Sequence, residues 1–151
     1  MQKITPFLWF DGNAAEAVNF YVSVFRDAKV LHTMPGPDGK PLVLTFQLEG
    51  QQFQALNGGP QYSFTPAISL FVSCETQAEV DELWEKLTAG GSEQPCGWLK
   101  DRYGLSWQII PTALGRLFGD PDRAKAGRAM QAMFAMTKID IAALQRAFDG
   151  A

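Results

Sequence analysis

Apolar residues recur at α-helical spacing in four segments of the chain. Two of these segments begin with a capping-box pattern, Asn13 with Glu16 and Thr76 with Glu79, which supplies side chains for the first free N–H groups of a helix. The first helix is expected to end near Arg26, and the second before the helix-terminating Gly90 and its neighbour. The predicted buried positions are Ala14, Ala17, Val18, Tyr21 and Phe25, then Val80, Leu83, Trp84 and Leu87.

Two more helices are predicted near the C-terminus. Asp120 followed by Pro121 is typical of an N-cap with a proline in the first helical turn, and Asp140 is the expected N-cap of a short last helix. Helical spacing accounts for the methionines of this region, so we interpret them as core residues rather than as an adaptable binding face. The predicted apolar positions are Met130, Met133 and Phe134, then Ile141, Leu144 and Phe148.

Apolar and alternating runs, bounded by turn residues, predict strands in the rest of the chain. They cover residues 4–10, 29–34, 42–48 and 53–57, then 66–73, 94–99, 100–103 and 105–110. Each half therefore has the order strand, helix and three strands. This order predicts an α+β fold in which two βαβββ modules form a curved sheet. We expect a single domain, with modules at about residues 1–60 and 61–112 and a C-terminal helical extension at about 113–151.

Local matches between the two halves support a duplication. Residues 4–6 and 64–66 share an apolar-Thr-Pro pattern at an offset of 60. Residues 50–56 resemble residues 104–110 at an offset of 54, with Gln54 and Gln108 in the same place. Because both matches fall at corresponding places in the predicted modules, we expect the two halves to share one fold.

The composition, with 46% apolar and 19% charged residues, is typical of a packed globular chain. A formal charge of −3 and the lack of a Lys/Arg cluster argue against a nucleic-acid partner. No run approaches the roughly 18 to 20 apolar residues of a membrane span, and the N-terminal residues lack a signal-peptide core. Cys74 and Cys96 have no metal-ligand or disulfide spacing, which fits a reducing compartment. We therefore expect a cytoplasmic protein with no nucleic-acid or membrane partner.

Four segments, with the paired βαβββ order, carry a resemblance to a known family. They are DGNAAEAVNFY at residues 11–21, QALNGGP at 54–60, SCET at 73–76 and CGWLKDRYGLSWQIIP at 96–111. The chain resembles the PhnB-like branch of the vicinal oxygen chelate superfamily, which includes glyoxalases, extradiol dioxygenases and bleomycin or fosfomycin resistance proteins. Members of this branch are often labelled 3-demethylubiquinone-9 3-methyltransferase. The likeness covers nearly the whole chain.

The resemblance implies where a catalytic metal would be held. In the superfamily's metal enzymes the ligands are typically His on the first strand of each module and Glu on the last. The matching positions here are Pro6, Pro66 or Ala67, Gln54 and Gln108. None of them offers an imidazole or a carboxylate, and an amide oxygen is a weak neutral ligand. The only histidine, His32, is interpreted as structural or exposed, so we predict no metal site and no cofactor.

A cup without a metal can still bind a small organic molecule through shape, aromatic faces and polar groups, and this is the function we predict. The candidate pocket residues are Gln54, Gln108, Asn57 and Trp98. Strand alternation directs Trp107 to the face opposite Gln108. No basic cluster accompanies Cys96 to activate its thiol, and the charged residues around Asp101 are interpreted as a solvated turn.

Two other functions stay open. The first is an enzyme, either a metal-dependent lyase, isomerase or dioxygenase with displaced ligands, or the methyltransferase of the family label. The chain has no Gly-rich turn of the kind that most S-adenosylmethionine enzymes place after a first strand. The second is a protein-interaction module that docks a partner through its C-terminal helices. We expect a homodimer, since superfamily members commonly pair and small modules need their edge strands covered.

Overall fold

Both halves of the chain form the predicted order of strand, helix and three strands. A computed structural model describes residues 2–151 and divides the chain into two compact units, Met1–Phe64 and Thr65–Ala151. Each unit contains one four-stranded sheet, and the C-terminal helices belong to the second unit. The α+β class and the paired βαβββ order are therefore confirmed.

The first unit holds one helix against one sheet. Its elements are β1 (Phe7–Phe10), α1 (Ala14–Val24), β2 (Lys29–Pro35), β3 (Pro41–Leu48) and β4 (Gln51–Asn57). The strand order is β1-β4-β3-β2, with β1 parallel to β4 and the other pairs antiparallel. Tyr21 of α1 stacks on Phe46, which stacks on Phe53, with ring centroids 6.5 and 5.4 Å apart. These buried aromatic rings hold α1 against the sheet.

The start of α1 differs from the predicted capping box. The side chain of Asn13 makes no capping hydrogen bond, because its backbone (φ −115°, ψ 23°) lies outside the extended conformation that an N-cap normally adopts. Instead the Ala14 N–H donates to Oδ1 of Asn57, at the end of β4, over 2.9 Å. A residue distant in sequence therefore satisfies the first N–H of the helix.

The second unit repeats this arrangement and adds three helices. Its elements are β5 (Leu70–Cys74), α2 (Gln77–Thr88), β6 (Ser92–Glu93), a 3-10 turn (Pro95–Gly97), β7 (Trp98–Lys100), β8 (Ser106–Pro111), α3 (Thr112–Phe118), α4 (Arg123–Phe134) and α5 (Ile141–Asp149). The strand order β5-β8-β7-β6 corresponds to that of the first sheet, with β5 parallel to β8. The predicted strand over residues 94–99 is wrong in its first half, because the 3-10 turn occupies that stretch.

The predicted N-cap of α2, Thr76, is confirmed, while the carboxylate of the box bonds one residue before it. The Glu79 N–H donates to Oγ1 of Thr76 over 3.2 Å, and the Glu79 carboxylate accepts from the Glu75 N–H over 2.8 Å. The predicted stripe of Val80, Leu83, Trp84 and Leu87 is buried. Trp84 also donates from Nε1 to the Glu93 carboxylate over 2.6 Å, so α2 is tied to β6 by a hydrogen bond as well as by packing.

Asp101 is buried, which corrects the prediction of a solvated turn. Its side chain is 2% exposed, and its carboxylate accepts from the N–H groups of Tyr103 and Leu105 and from Nε1 of Trp107, over 2.8, 3.1 and 2.8 Å. A buried carboxylate requires such donors, because water no longer solvates it. The predicted strand over residues 100–103 is therefore mostly the turn that joins β7 to β8.

The strand register corrects one of the two internal matches. Phe7 is the partner of Gln54 on β4, and Phe71 is the partner of Gln108 on β8. Gln54 and Gln108 are thus equivalent, as predicted, and Phe7 and Phe71 are equivalent at an offset of 64. The match between residues 4–6 and 64–66 has an offset of 60, so it pairs positions that are not equivalent. The residue that corresponds to Pro6 is Leu70, whereas residues 66 and 67 lie in a turn before β5.

The C-terminal helices differ from the prediction in detail. The N-cap of α4 is Asp122, whose carboxylate accepts from the Lys125 N–H over 3.2 Å, rather than Asp120. The small residues Ala126 and Ala129 form the buried side of α4, while Phe134 is 57% exposed, so the core role predicted for Phe134 is wrong. The helix α3 was not predicted. The N-cap of α5 is Asp140, as expected.

The linker between α4 and α5 fastens these helices to the rest of the second unit. The N–H groups of Cys96 and Gly97 donate to the carbonyls of Met136 and Thr137 over 2.8 and 2.7 Å. On the other side, the Gln77 amide donates to the Ile139 carbonyl and accepts from the Ile141 N–H. Ile110 of β8 also packs in one apolar cluster with buried residues of the helices and the linker, which are Leu117, Ala129, Ile139 and Leu144.

The helices of residues 2–151 are at most twelve residues long. An α-helix needs roughly 20 residues to cross a bilayer. None of the described helices therefore has the length and apolar character of a membrane span.

Replacing Trp84 with Ala should lower the free energy of unfolding by about 3 to 5 kcal/mol, because it removes a buried indole from the contact between α2 and the sheet. Urea unfolding followed by circular dichroism measures this loss. Trp84→Phe keeps most of the apolar volume and should lose less. A loss below about 1 kcal/mol for Trp84→Ala, which is typical of surface positions, would contradict the packing of α2.

Candidate functional site

Each sheet has one face covered by its own helix and one face on the opposite side, which we call the open face, although the C-terminal helices bury Ile110 on this face of the second sheet. Side chains alternate along a strand, so residues two apart share a face and cross-strand partners lie side by side. In the first sheet Phe46 and Phe53 face α1. In the second sheet Leu99 and Trp107 are partners and lie on the side of α2. The alternate residues of β4 and β8, which include Gln54 and Gln108, therefore lie on the open faces.

Four residues form a row across the open face of the first sheet, which we call the first row. Pairing of the strands places His32, Thr45, Gln54 and Phe7 side by side on β2, β3, β4 and β1. The Gln54 amide donates from Nε2 to Oγ1 of Thr45 over 3.3 Å. Phe7, on the edge strand, is 53% exposed. The first row thus places an amide and a hydroxyl beside an exposed aromatic ring.

The open face of the second sheet has a corresponding second row. Phe71, Gln108 and Trp98 are neighbours on β5, β8 and β7. The Gln108 amide donates from Nε2 to Oγ of Ser69, just before β5, over 2.9 Å. Phe71 is 59% exposed, and Trp98 is half-buried. The structure therefore brings together two of the predicted pocket residues, Gln108 and Trp98, and places an exposed phenylalanine next to them.

Asn57 lies on a different face from Gln54, although it was predicted as a pocket residue. The two are three residues apart on β4, so strand alternation directs their side chains to opposite sides of the sheet. The Asn57 amide accepts from the Ala14 N–H and donates to the Pro41 carbonyl, over 2.9 Å in both cases. Asn57 therefore joins α1 to the start of β3, and the structure separates it from the first row.

Trp107 lies on the side of α2, which confirms the predicted alternation with Gln108. Its ring is 2% exposed, and its Nε1 group donates to the Asp101 carboxylate. The two tryptophans of the segment CGWLKDRYGLSW thus have separate roles, because Trp98 belongs to the second row and Trp107 supports the core.

Another tryptophan of the open face was missed from the sequence. Trp9 is the partner of Leu56 on the open face of the first sheet, two residues along from Phe7. Its Nε1 group donates to the Gly59 carbonyl over 2.8 Å, and Tyr62 contacts it edge-on with centroids 4.8 Å apart. Gly58 is required here, because a Cβ at that position would overlap the indole ring. Of the two glycines after β4, Gly58 therefore leaves room for the Trp9 ring and Gly59 accepts its hydrogen bond.

The two phenylalanines and the hydroxyls of the rows could not be predicted from the sequence, for a physical reason. Phe7 and Phe71 were counted as strand residues, but only the cross-strand register places them beside Gln54 and Gln108. Thr45 and Ser69 are equally ordinary in sequence. Strand alternation from Gln54 predicts its own face, but it does not identify the neighbours on other strands.

The corrected register moves one of the implied metal positions from residue 66 or 67 to Leu70, and this change adds no metal-binding side chain. The positions are now Pro6, Leu70, Gln54 and Gln108, and none carries an imidazole, thiolate or carboxylate. His32 is exposed in the first row beside Thr45. Within residues 2–151, no three His, Cys, Asp or Glu side chains come close enough together to hold a metal ion.

The two cysteines differ in their surroundings. Cys74, at the end of β5, is fully buried. Burial, and after it the carboxylates of Glu79 and Glu75, raises the pKa of the Cys74 thiol to about 12. Cys96 is half-buried in the 3-10 turn, where its backbone adopts a left-handed conformation with φ of 64°. The Cys96 thiol donates weakly to the Met133 carbonyl over 3.8 Å.

Comparison with known proteins identifies relatives of this chain. Residues 2–110 match the family described as 3-demethylubiquinone-9 3-methyltransferase. The PhnB protein from Bacillus cereus is 36% identical, covers 74% of this chain and 100% of its own length, and superimposes with a TM-score of 0.69. Among curated proteins, none matches the chain.

Two more distant structures share the fold. A protein from Pseudomonas aeruginosa is 20% identical over 74% of this chain and 98% of its own, with a TM-score of 0.61. The fosfomycin resistance protein FosX from Listeria monocytogenes is 15% identical over 74% of this chain and 93% of its own, with a TM-score of 0.51. The βαβββ architecture thus extends to proteins of low sequence similarity.

Thiol labelling of the folded protein should modify Cys96 and spare Cys74. With a pKa of about 12, roughly one Cys74 thiol in ten thousand is ionised at pH 8, and the side chain is buried. Its ionised fraction should rise about tenfold per pH unit up to pH 12. Timed iodoacetamide labelling, read by mass spectrometry, measures both sites. Cys96→Ser should abolish the modification of native protein, and Cys74→Ser should leave it unchanged. Equal labelling of both cysteines would show that β5 and α2 open in solution.

Proposed function

The chain belongs to the family described as 3-demethylubiquinone-9 3-methyltransferase, the PhnB-like branch of the vicinal oxygen chelate superfamily, and from this membership we propose that it binds a small organic molecule on its open sheet faces. Binding relies on aromatic contacts and neutral polar groups, without a catalytic metal. The protein holds this molecule without transforming it.

The observation that carries this proposal is the equivalence of the two rows. Gln54 and Gln108 occupy the same register position in their sheets, and each makes a hydrogen bond to a hydroxyl. Beside each lies a phenylalanine that is more than half exposed. Exposed aromatic rings next to convergent polar groups are typical of ligand sites, since a bound molecule covers the apolar surface and the polar groups orient it.

The side chains at the implied metal positions support binding without a metal. A catalytic divalent ion normally has about three strong protein ligands and one open position. Proline and leucine offer no donor atom, and the amide oxygens of Gln54 and Gln108 are neutral. Each amide already bonds to a hydroxyl, which favours recognition of a neutral polar group over coordination of a cation.

Methyl transfer is the second candidate function, because the matched family carries that description. The sheets of this chain are four-stranded and mixed, and β1 and β5 lie at sheet edges. The usual S-adenosylmethionine site lies at a Gly-rich turn after the first strand of a doubly wound parallel sheet. Here β1 is followed by a single glycine, Gly12, before α1, and β5 is followed by none before α2. These features favour the binding function.

Protein purified without added metal should show no saturable binding of Mn(II), Zn(II) or S-adenosylmethionine in isothermal titration calorimetry. Dialysis against a chelator should leave the Tm unchanged, because neutral amides contribute too little to hold a divalent ion. Stoichiometric metal binding that is lost in Gln54→Ala and Gln108→Ala would instead support a metal enzyme. Saturable S-adenosylmethionine binding would support methyl transfer. Gln51→Ala, which changes an exposed glutamine on the other face of β4, is the matched control.

A further inference from the structure

We infer that the molecule bound by each row is an uncharged planar ring that bears a group able both to donate and to accept a hydrogen bond, such as a carboxamide or a hydroxyl. This inference rests on the proposed function and names the class of ligand. It follows from three independent features of the rows, namely their hydrogen-bonding groups, their aromatic rings and their charge.

The amide and hydroxyl of each row leave at least one donor and one acceptor for a ligand. When Gln54 donates from Nε2 to Thr45, its Oε1 oxygen still accepts and the Thr45 hydroxyl still donates. The same holds for Gln108 and Ser69. Reversing the amide changes which atoms take these roles but still leaves at least one donor and one acceptor in the pair. A carboxamide or hydroxyl satisfies such a pair, whereas an ether or a lone carbonyl satisfies only half of it.

The aromatic residues indicate the shape of the ligand. Phe7 and Phe71 each lie beside the glutamine of their row and expose more than half of their surface. In the second row Trp98 lies on the other side of Gln108, so an aromatic residue flanks the amide on both sides. Aromatic rings pack favourably against other rings in offset or edge-on geometry, and a flat ligand gives the largest contact there. The rows therefore favour a planar ring over a saturated one.

The row residues themselves supply no counter-charge for an ionic ligand. The residues of the rows are His32, Thr45, Gln54 and Phe7, then Phe71, Gln108, Trp98 and the adjoining Ser69. They include no carboxylate, lysine or arginine. A charged group placed directly on these residues loses solvation without gaining a counter-charge among them, and Lys29 and Lys100, which lie on the same faces, are outside the rows. A neutral ligand avoids this cost.

Benzamide is a suitable probe because it combines a planar ring with a donor-acceptor group and carries no charge. Titration of the labelled full chain, followed by NMR shifts of the Gln54 and Gln108 side-chain amides and of the backbone amides of Thr45 and Trp98, which every variant retains, reports binding at each row. The comparison compounds are cyclohexanecarboxamide, which is not planar, benzoate, which is an anion, and benzamidine, which is a cation. We expect benzamide to bind at least about fivefold more tightly than each of them, the factor that corresponds to one net interaction of about 1 kcal/mol.

Variants of the rows separate the two recognition elements. Gln54→Ala and Gln108→Ala should each weaken benzamide about fivefold at their own row. Phe7→Leu and Phe71→Leu should weaken benzamide but leave cyclohexanecarboxamide unchanged, because only the ring contact is altered. Gln51→Ala and Phe134→Leu are matched controls, since both side chains are exposed and lie off the rows. All four row variants should unfold within about 1 kcal/mol of the parent chain, as surface substitutions do.

The outcomes distinguish this inference from the proposed function. Tighter or equal binding of benzoate, benzamidine or cyclohexanecarboxamide at the rows would overturn the ligand class and leave the binding function in place. Benzamide shifts that persist unchanged in the glutamine variants would also overturn the ligand class. If neither the four probes nor a general fragment set shifts the row amides, the proposed function itself fails. Selective benzamide binding that the row variants weaken supports both.

Discussion

Alternation of side chains along β4 and β8 determines both the core and the candidate site. One set of residues on these strands, which includes Phe53 and Trp107, is buried on the side of the helix. The other set includes Gln54 and Gln108 and faces away. A register shift of one residue would exchange the two sets, placing amides in the core and aromatic rings outside, which is strongly unfavourable. The core packing therefore also fixes the positions of the rows.

The two sheets use different means to hold this register at the turn before the last strand. In the second sheet the buried Asp101 carboxylate accepts from Leu105 and Trp107, at the start of β8, so it ties the turn to the strand that carries Gln108. In the first sheet Glu49 and Gly50 adopt positive φ angles and donate to the carbonyls of Arg26 and Asp27. Both devices fix where the last strand begins, and hence which residues reach the open face.

The C-terminal helices cover part of the open face of the second sheet. The first unit contains no corresponding helices among its described residues. Ile110 lies two residues from Gln108 on the same face of β8, and it is buried in the cluster with Ile139 and Leu144. A side chain at Gly97 would collide with Ile110 and Ile139, so this glycine permits the close approach. The family match ends at residue 110, so α3, α4 and α5 lie outside the matched region. The ligand and the homodimer stay predictions.

The sequence by itself determined the α+β class, the paired βαβββ order, the N-cap and buried stripe of α2, and the equivalence of Gln54 and Gln108. These depend on local periodicity and capping, which short stretches of sequence encode. Tertiary structure alone decided that Asn57 caps α1, that Asp101 is buried, that Phe134 is exposed, and that Phe7 and Phe71 flank the amides. Each of these depends on partners that are distant in sequence or on neighbouring strands, and a one-dimensional pattern carries no information about which of those partners meet.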